Sequence, residues 1–141
     1  MIRGCLALWL GICSLVAGQS YAPTREKVPT VAREFRGAWV ACVYNIDWPS
    51  RKGLGAGTQQ AEMRRILDKL VSLKMNAVIF QVRPQADALY SSRIEPWSPW
   101  LTGTMGRSPG YDPLAYCIQQ AHARNIEVHS WFNPFRAVPH K

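Results

Sequence analysis

The sequence predicts an α/β fold, namely the N-terminal part of a TIM (β/α)8 barrel with about three strands and two helices. Three apolar, strand-like segments at residues 35–43, 76–84 and 126–132 alternate with two stretches of helical periodicity. This order builds a right-handed βαβαβ unit with a parallel sheet. A closed barrel of this type needs about 250 residues, whereas the chain has 141. We therefore expect an incomplete barrel, with residues 34–141 as the N-terminal portion of a larger domain.

The N-terminal segment, residues 1–18, has the features of a secretory signal peptide. Arg3 supplies a positive charge, and the apolar run that follows ends in Val16-Ala17-Gly18, where small residues suit a cleavage site. The run is short for a membrane span. We expect cleavage after Gly18, an extended leader at residues 19–33, an exported protein and no integral membrane span once the signal is removed. The alternative is an uncleaved membrane anchor.

The charge and the cysteines limit the class of protein further. The formal net charge is +8, but the basic residues are spread out and no nucleic-acid motif accompanies them, so we expect no nucleic-acid partner. Outside the signal, Cys42 and Cys117 are predicted to be buried thiols, with a disulfide between them as the alternative. The cysteines and the scattered histidines do not have metal-site spacing. No metal and no cofactor are expected.

The first strand leads into a polar and aromatic loop at residues 44–50, and a helix follows. Thr58 is the predicted N-cap, since its hydroxyl can accept a free first-turn N–H, and the helix is expected to end near Leu73. Four apolar residues at helical spacing give it one face for the sheet: Met63, Ile66, Leu67 and Leu70.

A long connection, residues 84–111, separates the central strand from the second helix. Connections of this length are usually functional or disordered, and its tryptophans favour function. Asp112-Pro113 predicts an N-cap followed by a proline at the first helical position. The second helix should end near Asn125, with an apolar stripe made by Leu114, Cys117, Ile118 and Ala121.

Alternation along the strands predicts which side chains face the helices and which face the barrel interior. Val78, Phe80 and Val82 should face helices, as should Val128, Ser130 and Phe132. The predicted inward-facing residues are Ile79, Gln81, Arg83, His129, Trp131 and Asn133. Polar residues in the inward layer near the strand ends indicate a pocket, because ligands bind at that end of parallel sheets.

Several residues near the strand ends have the chemistry of a sugar site. Arg83 could grip a carboxylate or donate to hydroxyls; its alternative role is an ion pair with Asp87. Asp47 and Asp87 are candidate carboxylates, and glycoside hydrolysis generally needs two. Either could instead cap loop N–H groups.

Aromatic residues and a histidine leave similar alternatives. Three tryptophans could stack on sugar rings or simply pack the loops: Trp48, Trp97 and Trp100. His129 could act at the site or be a hydrogen-bonded core histidine. Asn133 and Arg136, just past the third strand, suit ligand contact.

These motifs together resemble the glycosyl hydrolase-like family 10. The resemblance covers roughly residues 34 to 138, with the motifs in the expected order. The segments that carry it are Glu34–Val40, Tyr44–Pro49, Leu67–Pro84, Asp87–Ser92, Glu95–Ser98, Gly110–Leu114 and His129–Arg136. Ser130 stands where the family often has alanine.

The resemblance implies an exported TIM-barrel hydrolase of bacterial envelopes, found in the periplasm, in the cell envelope or secreted. It would act on peptidoglycan glycan strands, including strands stripped of their peptides. The family's catalytic acidic motif follows the fourth strand, and is therefore expected beyond residue 141, with Asp47 and Asp87 as candidate helpers. Five residues match positions that the family is expected to use to line its sugar cleft, namely Arg83, Asp87, Tyr90, Asn133 and Arg136. Trp48 and His129 are added as substrate-binding candidates from their own chemistry. The alternative function is an exported carbohydrate-binding protein without turnover.

Overall fold

A computed structural model describes residues 34–137, so the predicted signal peptide and leader lie outside the described residues. Three parallel strands form one sheet in the order β1-β2-β3. They are β1 (Gly37–Val40), β2 (Ala77–Arg83) and β3 (Glu127–Phe132). The α/β order predicted from the sequence is confirmed, and closure into a barrel stays a prediction.

Three helices connect the strands. They are α1 (Ala56–Ser72), the single-turn α2 (Pro99–Thr102) and α3 (Pro113–His122). α2 was not expected from the sequence. Within residues 34–137, every helix is too short or too polar to cross a membrane.

Several predicted boundaries were wrong. β1 ends at Val40 because the chain turns into a 3₁₀ helix at Val43–Asn45. α1 begins earlier than predicted, with Gly55 as its N-cap. Thr58 already lies inside the first turn, where its N–H donates to the carbonyl of Gly55 at 3.0 Å.

The second long helix begins as predicted and ends early. The Asp112 carboxylate accepts a hydrogen bond from the N–H of Ala115 at 2.9 Å, which confirms the N-cap. α3 then stops at His122, three residues before the expected end near Asn125. Asn125 itself has a left-handed φ of 56°, which redirects the chain into β3.

One face of the sheet is covered by helices. Val78, Phe80 and Val82 alternate along β2 and are buried in a single apolar cluster with residues of α1 and α3. The helical contributions are Met63, Leu67, Leu70, Cys117 and Ala121. The predicted orientation of β2 is therefore confirmed. Cys42 and Cys117 are buried free thiols, so the disulfide alternative was wrong.

The opposite face of the sheet is open among the described residues. Trp39 of β1, Ile79 of β2 and His129 of β3 stand side by side in the strand register. Trp39 is 63% exposed, and its ring meets that of Trp131 edge to face, with centroids 5.0 Å apart. This face matches the inward layer that the alternation predicted.

The long connection between β2 and α3 is folded against the sheet. The N–H of Leu89 donates to the carbonyl of Val82 at 2.9 Å, and Ala88 forms a parallel bridge with Trp97. Trp100 of α2 is buried, and Trp97 packs against the core. These contacts favour packing over sugar stacking for both tryptophans.

Candidate functional site

The candidate site lies at the carboxyl ends of β2 and β3, where Arg83 is the central charged group. Its Nε donates to Oε1 of Glu95 at 2.6 Å, and its Nη2 lies 2.5 Å from the same oxygen. Its Nη1 donates to the carbonyl oxygen of Asn133 at 2.6 Å. The ion pair with Asp87 considered from the sequence is therefore wrong about the partner. Glu95, which follows twelve residues later on the long connection, takes that place.

A local irregularity aims Arg83 at this position. Gln81 pairs with Trp131, but Arg83 pairs with Phe132, the next residue along β3, so β2 contains one extra residue. Such bulges bend a strand and re-aim its side chains, and they are frequent next to functional sites.

Asn133 ties the end of β3 to the end of β2. Its N–H donates to the carbonyl of Arg83 at 2.9 Å, and its side-chain Nδ2 donates to the carbonyl of Pro84 at 3.1 Å. Its Oδ1 accepts from the indole Nε1 of Trp131 at 2.9 Å. The amide side chain is thus committed to contacts with Trp131 and with Pro84, just past β2.

A shallow cleft of about 370 Å³, open to solvent, lies beside the turn after β3. Trp131 and Asn133 form its inner side, and the exposed residues Pro134, Phe135 and Arg136 form its outer side. Aromatic surface with a few directed polar groups is the usual composition of a small-ligand site. Here the available polar group is the exposed guanidinium of Arg136, which suits hydroxyl, carbonyl and carboxylate groups.

Asp87 is fully buried behind the site. Its Oδ1 accepts from the N–H of Gln85 at 2.7 Å. Burial raises the pKa of the Asp87 carboxyl, while the Ser98 side chain and the backbone N–H groups of Gln85 and Asp87 oppose that rise. The geometry favours the loop-capping alternative, since a side chain with no exposed surface does not contact a ligand in this conformation.

Asp47 and Trp48 belong to the loop after β1 and do not join the Arg83 cluster. Oδ2 of Asp47 accepts from the N–H of Ala41 at 2.8 Å, which is a capping contact. Trp48 is only 1% exposed; its Nε1 donates to the carbonyl of Gln59 at 2.9 Å and its ring packs on Phe80. The prediction that Trp48 stacks on a sugar is therefore wrong, because its side chain packs in the core.

Tyr90 and His129 flank the site on different sides. The centroid of the Tyr90 ring lies 6.4 Å from that of the Phe132 ring. The pKa of the Tyr90 hydroxyl is raised, mainly by burial and to a smaller extent by the negative charge of Glu95. His129 is exposed on the open face, earlier along β3, and its ring meets Phe35 edge to face at 5.3 Å. His129 is therefore not a buried core histidine.

Sequence reasoning missed the structural roles of two residues, Glu95 and Gln81. Glu95 lies in an irregular loop, where no periodicity could reveal its pairing with Arg83. Gln81 is fully buried, and its Oε1 accepts from the N–H groups of Cys42 and Val43, both at 3.0 Å. A polar residue at an inward position was its available signal. Within residues 34–137, no cluster of His, Cys, Asp and Glu is arranged to hold a metal ion.

Comparisons with known proteins agree on one family. The model of the family described as Glycosyl hydrolase-like 10 matches residues 34–140. The chain is 54% identical over 104 residues to Glycosyl hydrolase YngK of Bacillus subtilis (strain 168), covering 74% of this chain and 20% of that protein. It is 40% identical over 144 aligned positions to Glycosyl hydrolase DigH of Escherichia coli (strain K12), covering 93% of this chain and 33% of that protein. The chain thus spans a fifth to a third of the length of these curated relatives.

Proposed function

The chain belongs to the glycosyl hydrolase-like 10 family, and from this premise we propose that its protein is a glycosidase of the bacterial cell wall. The proposed substrate is the glycan strand of peptidoglycan, and the segment from β1 to β3 contributes part of the sugar-binding cleft. The names of the relatives support glycosidase chemistry for those proteins. The choice of peptidoglycan rests on the resemblance of the motifs.

The cleft at the end of β3 is the observation that carries the proposal. It combines the indole of Trp131 with the guanidinium of Arg136, next to the Arg83–Glu95 pair. The apolar face of a pyranose ring can pack on an indole, while its hydroxyl and carbonyl oxygens accept hydrogen bonds from arginine. Muramic acid units also carry carboxyl groups, which suit a guanidinium.

The carboxylates of this segment fit positioning better than catalysis. Glycosidases generally need one carboxyl group as a proton donor and another as a nucleophile or base. Asp87 is buried, Glu95 is paired with Arg83, and Asp47 caps the N–H of Ala41. Because all three are engaged within the protein, we assign the acid and the nucleophile or base to other residues, outside 34–137 as the family resemblance implies.

Export of the protein is part of the proposal, because peptidoglycan lies outside the cytoplasmic membrane. The support is the signal-like sequence of residues 1–18. Mass spectrometry of the mature N-terminus tests it: a chain beginning at Gln19 is expected, whereas a retained Met1 in the envelope fraction contradicts cleavage.

The function is tested by incubating the intact gene product with purified peptidoglycan and with peptide-free glycan strands. Mass spectrometry of the soluble fraction should detect released sugar oligomers. Arg136→Ala should reduce that release, because it removes the exposed guanidinium of the cleft. The matched control is Arg93→Ala, which removes an exposed arginine that does not line the cleft. Equal release of oligomers by the two variants would show that Arg136 does not bind the glycan.

A carbohydrate-binding protein without turnover is the second candidate. The observation that favours it is the same engagement of Asp47, Asp87 and Glu95 in contacts within the protein. Wild-type protein that sediments with insoluble glycan but releases no oligomers would support this candidate and exclude the glycosidase.

A further inference from the structure

We propose that Glu95 is a positioning residue for the glycan cleft, an assignment that rests on the proposed function. Its carboxylate orients Arg83, and Arg83 in turn holds the backbone of the turn after β3, residues 133–136. Glu95 acts on that turn through Arg83, so it is not a catalytic residue.

The first contact in this chain is a partly buried ion pair. Oε1 of Glu95 accepts a hydrogen bond from Nε of Arg83 at 2.6 Å and lies 2.5 Å from Nη2 of the same guanidinium. The two side chains are only 17% and 18% exposed, so water screens the pair less than a surface pair. Hydrogen bonds between ionised partners are shorter and stronger than neutral ones. Glu95 therefore fixes the plane of the guanidinium.

The second contact transmits that orientation to the turn. With Nε and Nη2 held by Glu95, the remaining Nη1 of Arg83 points at the carbonyl oxygen of Asn133, 2.6 Å away. The carbonyl of Pro134 lies at 3.5 Å from the same nitrogen. These carbonyls belong to the residues that line the cleft. Without Glu95, the guanidinium could rotate and the turn would lose a charge-assisted hydrogen bond.

Glu95 can serve as an anchor because its own loop is ordered by local contacts. Its N–H donates to the hydroxyl of Ser92 at 3.0 Å. The carbonyl of the next residue, Pro96, accepts from the N–H of Ala88 at 2.8 Å. The backbone that carries the Glu95 carboxylate is thus held by hydrogen bonds within the long connection. Through Arg83, the carboxylate couples this connection to the end of β3.

Hydrogen exchange tests the positioning role independently of glycan. Glu95→Gln and Glu95→Ala should both increase deuterium uptake in residues 133–137, above all at the N–H of Asn133 that donates to the carbonyl of Arg83, measured by mass spectrometry on a peptide that begins at least two residues before Asn133. Glu34→Gln is the matched control, because Glu34 pairs with Arg36 at 2.8 Å on an exposed surface away from the cleft. Uptake at 133–137 that stays unchanged in both Glu95 variants would overturn the proposal. An increase spread evenly over the chain would also overturn it, since it would mark Glu95 as a general stabilising residue.

Glycan kinetics test the functional consequence. Glu95→Gln should raise KM for peptide-free glycan by about tenfold, the loss expected for one charge-assisted hydrogen bond, and leave kcat within about twofold. A fall in kcat at unchanged KM would contradict positioning. If the wild-type protein neither binds nor cleaves glycan, the proposed function fails, whereas the exchange result still decides whether Glu95 orders the turn. Arg83→Lys should also increase deuterium uptake in residues 133–137, because a lysine ammonium cannot bind Glu95 and the carbonyl of Asn133 with the fixed geometry of a guanidinium.

Discussion

The two faces of the β-sheet carry different kinds of residue and do different work. The helix-covered face, defined by Val78, Phe80 and Val82, is aliphatic and aromatic, and it is sealed by α1 and α3. The open face, defined by Trp39, Ile79, His129 and Trp131, carries one aliphatic side chain between aromatic ones and a histidine, and all four remain partly or largely exposed. Residues one position apart on the same strand therefore belong to different environments.

The difference separates the face that stabilises the sheet from the face to which we assign glycan binding. Burial of apolar surface stabilises a fold in proportion to the area removed from water, and Val78, Phe80 and Val82 on the helix-covered face are all buried in the core cluster. The open face leads along β2 and β3 to Arg83, Asn133 and the cleft. Substitutions on the first face should reduce stability, whereas substitutions on the second should mainly reduce binding.

The largest expected effect is that of Phe80→Ala on the helix-covered face. Phe80 is fully buried and contacts Trp48 edge to face. Its removal should lower the free energy of unfolding by about 3–5 kcal/mol, from lost burial and the cavity left behind. Urea unfolding followed by circular dichroism measures the loss. A decrease below about 1 kcal/mol would mean that this face is not the core.

A smaller loss is expected for Gln81→Leu, which tests an exception to the comparison. Gln81 lies on the open side of β2, yet it is fully buried and accepts two backbone hydrogen bonds. Leucine would leave the N–H groups of Cys42 and Val43 unsatisfied, at a cost of about 1–3 kcal/mol. The control is Gln119→Leu on the exposed side of α3. Equal stability of the two variants would show that Gln81 does not hold the β1 loop.

Asp87→Asn should show a pH-dependent effect on stability that is smaller than the loss at Gln81. Burial raises the folded-state pKa of Asp87 above its ordinary value of 3.8, so the folded state binds the proton more tightly than the unfolded state. The contribution of Asp87 to stability is fully present below 3.8 and is lost as the pH rises through the folded-state pKa.

Asparagine lacks this titration. The difference in unfolding free energy, Asp87→Asn minus wild type, should therefore increase as the pH rises through that range and then become constant. Urea unfolding at a series of pH values between acid and neutral measures it. Stability curves that run parallel over the whole range would contradict the burial-raised pKa.

The smallest effect on stability is expected for Trp39→Ala on the open face. Trp39 is mostly exposed, and its main contact is the edge-to-face pair with Trp131. Such pairs contribute about 0.5–1.5 kcal/mol, so the loss should lie near the lower end of that range. The fraction of protein that sediments with peptide-free glycan should fall measurably, because Trp39 contacts Trp131 of the cleft. A stability loss as large as that of Phe80→Ala would remove the distinction between the two faces.

Much of the fold was predictable from local sequence patterns, namely the alternation of apolar residues along strands and the capping residues of helices. The alternation of Val78, Phe80 and Val82 predicted the helix-covered face of β2, and Asp112 before Pro113 predicted the start of α3. Arg83, Asn133 and Arg136 were placed near the strand ends for the same reason. The start of α1 was predicted wrongly at Thr58, because Thr58 and Gly55 are both reasonable caps by local chemistry.

The sequence by itself determined the order of the three strands and the two long helices, the faces of β2, the burial of the two thiols and the convergence of polar residues at the strand ends. Those features follow from backbone periodicity and local hydrogen bonding, which act over a few residues. Only the tertiary structure decided that Arg83 pairs with Glu95, that Asp87 is buried and that Trp48 belongs to the core. Each of these depends on how a loop without periodicity packs on the sheet, and that is set by contacts between residues far apart in the chain.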